Sequence, residues 1–403
     1  MSDVPDQRTA LRIVNSLKDG VPSVDDVEYF SSQSSSLDKI IGRDMNEIFM
    51  GNYGKIKFIN GGYGEGKTHF LSRIRARAVR EDFLVSMFAI SPRGIALDMM
   101  ERAFGELIKS LVVKGLAANN TVESAVEYIL AKWMPTVEDP GLALRNMPLL
   151  DRDLRSMLTY MSEFLRQKEL YYSEIDVLHR WLLGDTHGKA ELKRHYKIFN
   201  HVNPRNVLDI MKSLARFFKE IGYKGWVILI DEQEVISTLL TSRRRELTDQ
   251  NIRILIDDQS KMDGLYVLFA TTDEFFTDPS RGVVSYPALK TRVTKANTLD
   301  LPPIGQGEMD EIALSIKTIC EIAWDVELRV NGEQLKSCVA VALNYSIPSG
   351  KARTFVKSVV RLMESMRDDP RKDPVAVFSE IYPATYNQVA IEKEKAQSAI
   401  GDM

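Results

Sequence analysis

The chain has 403 residues, 44% of them apolar and 27% charged, with a net charge of −3, which is enough for two or three domains around a large core. That balance excludes attraction to nucleic acid or an anionic membrane through overall charge, so any basic surface must be local. Cys320 and Cys338 are the only cysteines, which excludes a disulfide framework and suits a reducing cytosol. There is no basic-then-apolar leader and no apolar run near the roughly 20 residues of a membrane helix, so the expectation is a cytoplasmic protein.

Arg8 to Lys18 carries Leu11, Ile13, Val14 and Leu17 at near-helical spacing and stops at Asp19-Gly20 and Pro22. A Ser-rich linker, Ser31 to Ser36, leads to a second helical pattern from Ile40 to Phe49. In many ATPases the residues before the first strand fold over the nucleotide base. Val21, Ile41 and Gly42 are therefore read either as adenine contacts or as packing residues.

Lys57-Phe58-Ile59-Asn60-Gly61-Gly62-Tyr63-Gly64-Glu65-Gly66-Lys67-Thr68-His69 reads as a strand, a glycine loop and the opening of a helix. Gly61, Gly66, Lys67 and Thr68 fit G-x-x-x-x-G-K-[ST]. A polyphosphate must be wrapped by consecutive backbone N–H groups, and glycine allows that approach and the positive φ it needs. Lys67 is expected to reach the β- and γ-phosphates of ATP, Thr68 to ligate Mg²⁺, and the loop from Gly61 to His69 to supply the remaining nucleotide contacts. Arg73, Arg77 and Arg80 share a face of the following helix, read as a solvated stripe or as a DNA or partner surface.

Phe83 to Ile90 is a buried strand by pattern, Ile95 to Lys114 a helix, and 117–218 purely helical, an insertion between two strands of one sheet. Its histidines His179, His187 and His195 match no metal-ligand spacing. Trp226 to Ile230 is a strand buried on both faces that delivers Asp231 and Glu232 at its C-terminal end, where open α/β sheets bind ligands. Asp231 is the expected Mg²⁺ carboxylate, through water, and Glu232 the group that polarises the attacking water. Leu265 to Ala270 is a further strand ending in Thr271-Thr272, either of which could sense the γ-phosphate if the chain is AAA+-like. Arg292, and after it Arg281, stand where an AAA+ chain sends an arginine to its neighbour's nucleotide.

Helical patterns at Glu308 to Ala323, Asn331 to Leu343 and Ala352 to Met366 read as a small lid. Ser349-Gly350-Lys351-Ala352-Arg353 resembles the opening of the lid helix in initiator-type AAA+ proteins, with Arg353 bent back onto the phosphates. The expected fold is an α/β P-loop NTPase, AAA+-like, with a parallel sheet and helices on both faces. Residues 1–50 form its adenine side, 51–300 the ATPase domain, 301–368 the lid, and 369–403 a partly ordered tail.

The opening Arg12 to Pro22, the loop Gly61 to Leu71, and Val227 to Glu232 followed by Gln233-Glu234 together resemble the ATP-binding P-loop proteins of BREX-type bacteriophage-defence systems. The length suits their smaller, BrxD-like ATPase, and Gln233 stands where that family would have a small residue. The resemblance implies a bacterial or archaeal ATPase acting in a defence complex on DNA, beside a methyltransferase, helicase or larger ATPase, as a homo- or hetero-oligomer. A non-hydrolysing nucleotide switch and a P-loop small-molecule kinase are the alternatives. Asp231 and Glu232 speak against the first, and the helical insertion and C-terminal lid against the second.

Overall fold

The computed structural model describes residues 4–19, 26–30, 36–90, 97–116, 124–147, 151–167, 170–231, 241–279, 282–347 and 350–401. Val21, Pro22, Glu232, Gln233, Glu234, Arg281 and Ser349 lie outside the described residues. The chain divides into two compact units, one built from 1–39, 59–76 and 299–403, the other from 40–58 and 77–298. Each has its own apolar cluster.

Five strands, β1 (Lys55–Asn60), β2 (Leu84–Ala89), β3 (Trp226–Asp231), β4 (Leu265–Thr271) and β5 (Thr298–Asp300), form one sheet in the order β2-β3-β4-β1-β5. β2 and β3 pair in parallel from Leu84 opposite Trp226 to Ala89 opposite Asp231, and β3 and β4 pair in parallel from Trp226 opposite Leu265. Every residue of β3 and β4 is buried, as the unbroken apolar runs require of strands covered on both faces. The connection from β1 to β2 skips two sheet positions, which the later strands β3 and β4 fill.

The second unit anchors the start of β1 through a buried carboxylate. Asp44, in the helix Ser36–Met50, accepts from Lys55 Nζ at 2.6 Å, Lys57 Nζ at 2.8 Å and the Tyr266 hydroxyl at 3.0 Å. Burial alone would raise this carboxyl, but the lysine hydrogen bonds outweigh it and hold it below the usual range. The helix expected to run to Lys114 spans Met100–Lys109. It stops because Val112 leaves helical geometry to exchange backbone hydrogen bonds with Val85, at 2.8 and 3.1 Å. Between 124 and 220 the described residues form only helices and their connections.

In the first unit the helix Gln7–Asp19 buries Ala10, Ile13, Val14 and Leu17 in a cluster with the lid helices Gln306–Trp324, Gly332–Asn344 and Lys351–Asp368. Both cysteines are in this core, and burial pushes each thiol up to about 12. The tail expected to be partly ordered is instead the helix Pro374–Gly401. Phe378, Tyr382, Thr385 and Val389 recur at three- and four-residue steps and are all buried, so one face packs against the helices Gly332–Asn344 and Lys351–Asp368.

Candidate functional site

The phosphate-loop candidate belongs to the first unit, where β5 supports it. Leu301 N–H donates to Asn60 O at 2.7 Å, and Asn60 Nδ2 donates to Asp300 Oδ1 at 3.0 Å. Two glycines then turn the chain with positive φ, Gly64 at 71° and Gly66 at 93°, conformations that would strain any side-chain-bearing residue. Gly64 is constrained from outside as well, because a Cβ there would stand 2.8 Å from the Gly350 Cα. The tip of the loop thus lies against the backbone that opens the lid helix.

Lys67 begins the helix Lys67–Arg80 and is 7% exposed. Its Nζ donates to the carbonyl oxygens of Gly61 at 2.9 Å and Gly62 at 3.2 Å, so the ammonium lies across the mouth of the loop. Thr68 is exposed on the first helical turn. Glu65 folds back so that its Oε2 accepts from Gly62 N–H at 2.6 Å. A carboxylate thereby occupies a donor of the kind a phosphate oxygen would use. His69 lies beside the Phe30 ring, with centroids 5.4 Å apart, and its imidazole is pushed down to about 4, first by burial and then by the charge of Arg73. It is therefore neutral at physiological pH.

The lid arginine joins this group. Arg353 Nη1 donates to the Tyr63 hydroxyl at 3.5 Å and Nη2 to Asp19 O at 3.3 Å, with Glu392 Oε2 3.5 Å from Nη2. Glu392 also accepts from Lys357 Nζ, at 3.0 and 3.2 Å. The structure thus brings together Tyr63, the Gly64 turn and Arg353. It adds Asp19 and Glu392, for which the sequence carries no local signal.

In the second unit, Asp231 is 4% exposed at the end of β3, while Thr271 at the end of β4 is fully buried and Thr272 is 7% exposed. Ile41 is 1% exposed, and the Arg77 guanidinium covers Gly42 so closely that a Cβ would meet it at 2.2 Å. Arg292 is bound within its own chain, to Asp257 Oδ1 at 2.5 Å and Ala288 O at 2.7 Å. Of the three stripe arginines, Arg73 and Arg77 are engaged within the chain, and Arg80 is exposed. Arg73, 12% exposed, pairs with Asp38 at 2.5 Å, and Arg77 pairs with Glu81 at 2.7 Å.

These donors suit a magnesium nucleotide. A hydroxyl such as that of Thr68 and a carboxylate such as that of Asp231 are each hard oxygen ligands of the kind Mg²⁺ takes, one or two from protein with phosphate and water completing the shell. Among the described residues no group of three or more His, Cys, Asp or Glu side chains could hold a metal by itself. No helix among them is long and apolar enough to cross a membrane.

A strand, a glycine loop with an embedded lysine, and a helix, on a sheet that also carries an acid-ended buried strand, define a phosphate-loop nucleotide-binding protein. The chain belongs to the family described as BREX system ATP-binding protein BrxC/D, whose model matches residues 6–381. No curated protein matches it. The BREX resemblance read from Arg12 to Pro22, the glycine loop and the β3 acid therefore holds, and with it a nucleotide-binding role in BREX defence.

Proposed function

We propose that the chain is a Mg²⁺-dependent ATPase of AAA+-like type, turning ATP and water into ADP and phosphate, and that it works in the cytoplasm with other subunits of a DNA-directed defence complex. The observation that carries this reading is the approach of the lid arginine to the phosphate loop, with Arg353 on Tyr63 and Gly350 against Gly64. A passive nucleotide holder needs only the loop. A lid that delivers a cation to it suits an enzyme that must offset charge on a transferring phosphoryl group.

The remaining roles follow from position. Backbone N–H groups from Gly61 to Gly66 and the Lys67 ammonium hold the phosphates, Thr68 and Asp231 hold Mg²⁺, and Ile41 and Gly42 flank the base. Bound Mg²⁺ supplies charge neutralisation between the phosphate oxygens. Glu232 accepts the proton of the attacking water, and Thr271 or Thr272 orients that water. The sheet order supports the AAA+-like assignment, since β4, which ends in the threonines, neighbours both β3 and β1.

Turnover of ATP by the purified chain, with and without DNA, tests the proposal. Wild-type protein should release phosphate, Lys67→Ala should lose binding or turnover while staying folded, and Glu232→Gln should bind ATP with hydrolysis lowered by roughly a hundredfold or more. Tight ATP binding with no phosphate release under any of these conditions would leave a nucleotide switch in its place.

A further inference from the structure

The helical insertion carries a second feature that the nucleotide site does not use. Between Thr186 and Arg205 stand five cations, Lys189, Lys193, Arg194, Lys197 and Arg205, with Glu191 as the only carboxylate, in a chain whose net charge is −3. All five are exposed, and among the described residues none has an ion pair or a side-chain hydrogen bond. Some exposed cations elsewhere are paired, as Lys109 is with Glu106, Arg180 with Asp176 and Lys336 with Glu333, whereas here five stand within 17 residues beside a single carboxylate. Lys193 and Arg194 gain from lying in the last turn of the helix Lys189–Tyr196, near its negative end. Lys189, Lys197 and Arg205 have no such reason to be there.

The surface is also rigid. Lys197 closes that helix at φ 54° and ψ 30°, a left-handed conformation costly for a residue with a side chain. The backbone beyond it is fixed by Asp153, 5% exposed, whose carboxylate accepts from Phe199 N–H and Asn200 N–H, both at 3.0 Å, and from Asn200 Nδ2 at 2.9 Å. Trp181 Nε1 adds a bond to Asn200 O at 2.9 Å. Phe199 is thereby held 38% exposed, with the Arg152 guanidinium 4.1 Å and Lys193 Nζ 6.0 Å from its ring centre. An aromatic platform that orders cations facing solvent preorganises them for an external anion.

We propose that this face of the insertion binds the phosphate backbone of duplex DNA, an inference that rests on the DNA-directed function proposed above and supplies its contact surface. The neighbouring acids do not cancel the charge. Asp153 is spent on the loop backbone, Asp185 pairs with His187 at 2.5 Å, and Glu191 and Glu174 remain near Tyr196. An acidic protein partner would need apolar anchors, and Phe199 is the one exposed large apolar side chain described between 186 and 205. Single strands are held by several aromatic platforms open to bases, whereas here the one ring carries Arg152. What remains is a cluster of exposed cations with little competing negative charge, the chemistry that a phosphate backbone takes.

Fluorescence anisotropy of a labelled duplex with the full-length protein, from about 50 to about 200 mM salt, tests this. Wild-type protein should bind with log affinity falling linearly in log salt. Lys193→Glu with Arg194→Glu should cost at least about tenfold at the lowest salt and make the slope shallower by roughly two, one per lost phosphate contact. Lys189→Gln with Arg205→Gln, a milder pair, should shift both in the same direction, and Lys336→Glu on the lid should change neither. Wild-type-like binding by both insertion variants with intact circular dichroism, or absence of binding by the wild type at the lowest salt, would overturn the proposal. A single strand of the same length bound more tightly, with the loss confined to it, would overturn the duplex assignment. DNA binding is read here without turnover, so wild-type protein that releases no phosphate would sink the ATPase reading while leaving this surface standing.

Discussion

Glu65 and Lys67 are two residues apart and set opposite charges into one loop. The Lys67 ammonium is already within the loop mouth, on the carbonyls of Gly61 and Gly62, so little motion separates it from a phosphate. Glu65 is the opposing element, because its carboxylate takes the Gly62 N–H and brings a like charge to where phosphate charge would gather. Replacing it by Gln keeps the reach, weakens the bond and removes the repulsion. Glu65→Gln should therefore tighten ATP binding several-fold, since exchanging a charge-assisted for a neutral hydrogen bond is worth about 1 kcal/mol. Titration calorimetry with a non-hydrolysable analogue measures it, and unchanged or weaker affinity would mean that Glu65 does not compete with nucleotide. Glycine spacing and Lys67 were legible because phosphate-loop chemistry is local in sequence. The hold of Glu65 on Gly62 was not, since any polar residue satisfies the motif at that position.

The helix Ser242–Asp258 shows polar burial at the scale of one element. It buries Asp249, and among the described residues Thr248 Oγ1 and Arg253 Nε have no hydrogen-bond partner. Burial pushes the Asp249 carboxyl up to about 7 from an ordinary 3.8, with Arg245 pulling weakly the other way. Between these values the folded chain holds a proton the unfolded chain has lost, so stability falls as pH rises through this window and stays low above it. Asp249→Asn keeps the shape and removes the titration. Its melting temperature should exceed that of wild type by at least about 2 °C at pH 8, with the difference closing toward pH 4. A difference that does not vary with pH would remove Asp249 as its source. Elements were read with uneven success for physical reasons. β3 and β4 are short apolar runs closed by one polar residue each, Asp231 and Thr271, which a doubly covered strand explains, whereas the end of the helix Met100–Lys109 depends on Val112 meeting Val85, a pairing across 27 positions that no local pattern encodes. The helix Pro374–Gly401 was hidden by the Asp, Pro and Lys residues of 368–374 that lead into it and by Pro383, although its buried stripe of Phe378, Tyr382 and Val389 is helical in spacing.

At the scale of the whole molecule the open question is how the transition-state charge is balanced. Arg353 reaches the phosphate loop within its own unit, through Tyr63. Arg292 is tied to Asp257 and the Ala288 carbonyl instead, so a role in trans requires it to exchange Asp257 for a neighbouring subunit's nucleotide. Exposed ion pairs of this kind contribute little in water, less than a γ-phosphate at the transition state offers, so the exchange is favourable once a neighbour is present. Three outcomes follow for an assembled enzyme. Turnover per subunit should rise with protein concentration or appear on addition of partner subunits or DNA. Arg292→Ala should lower turnover by a hundredfold or so while leaving ATP affinity nearly intact, since arginine fingers act on the transition state. Mixing Lys67→Ala protein with Arg292→Ala protein should restore part of the activity, because some interfaces then pair an intact phosphate loop with an intact arginine from the other chain. Turnover that is independent of concentration, insensitive to Arg292→Ala and unrestored by mixing would instead belong to a self-contained site, in which Arg353 is the only arginine that answers the phosphate and Arg292 serves its own chain by pairing with Asp257.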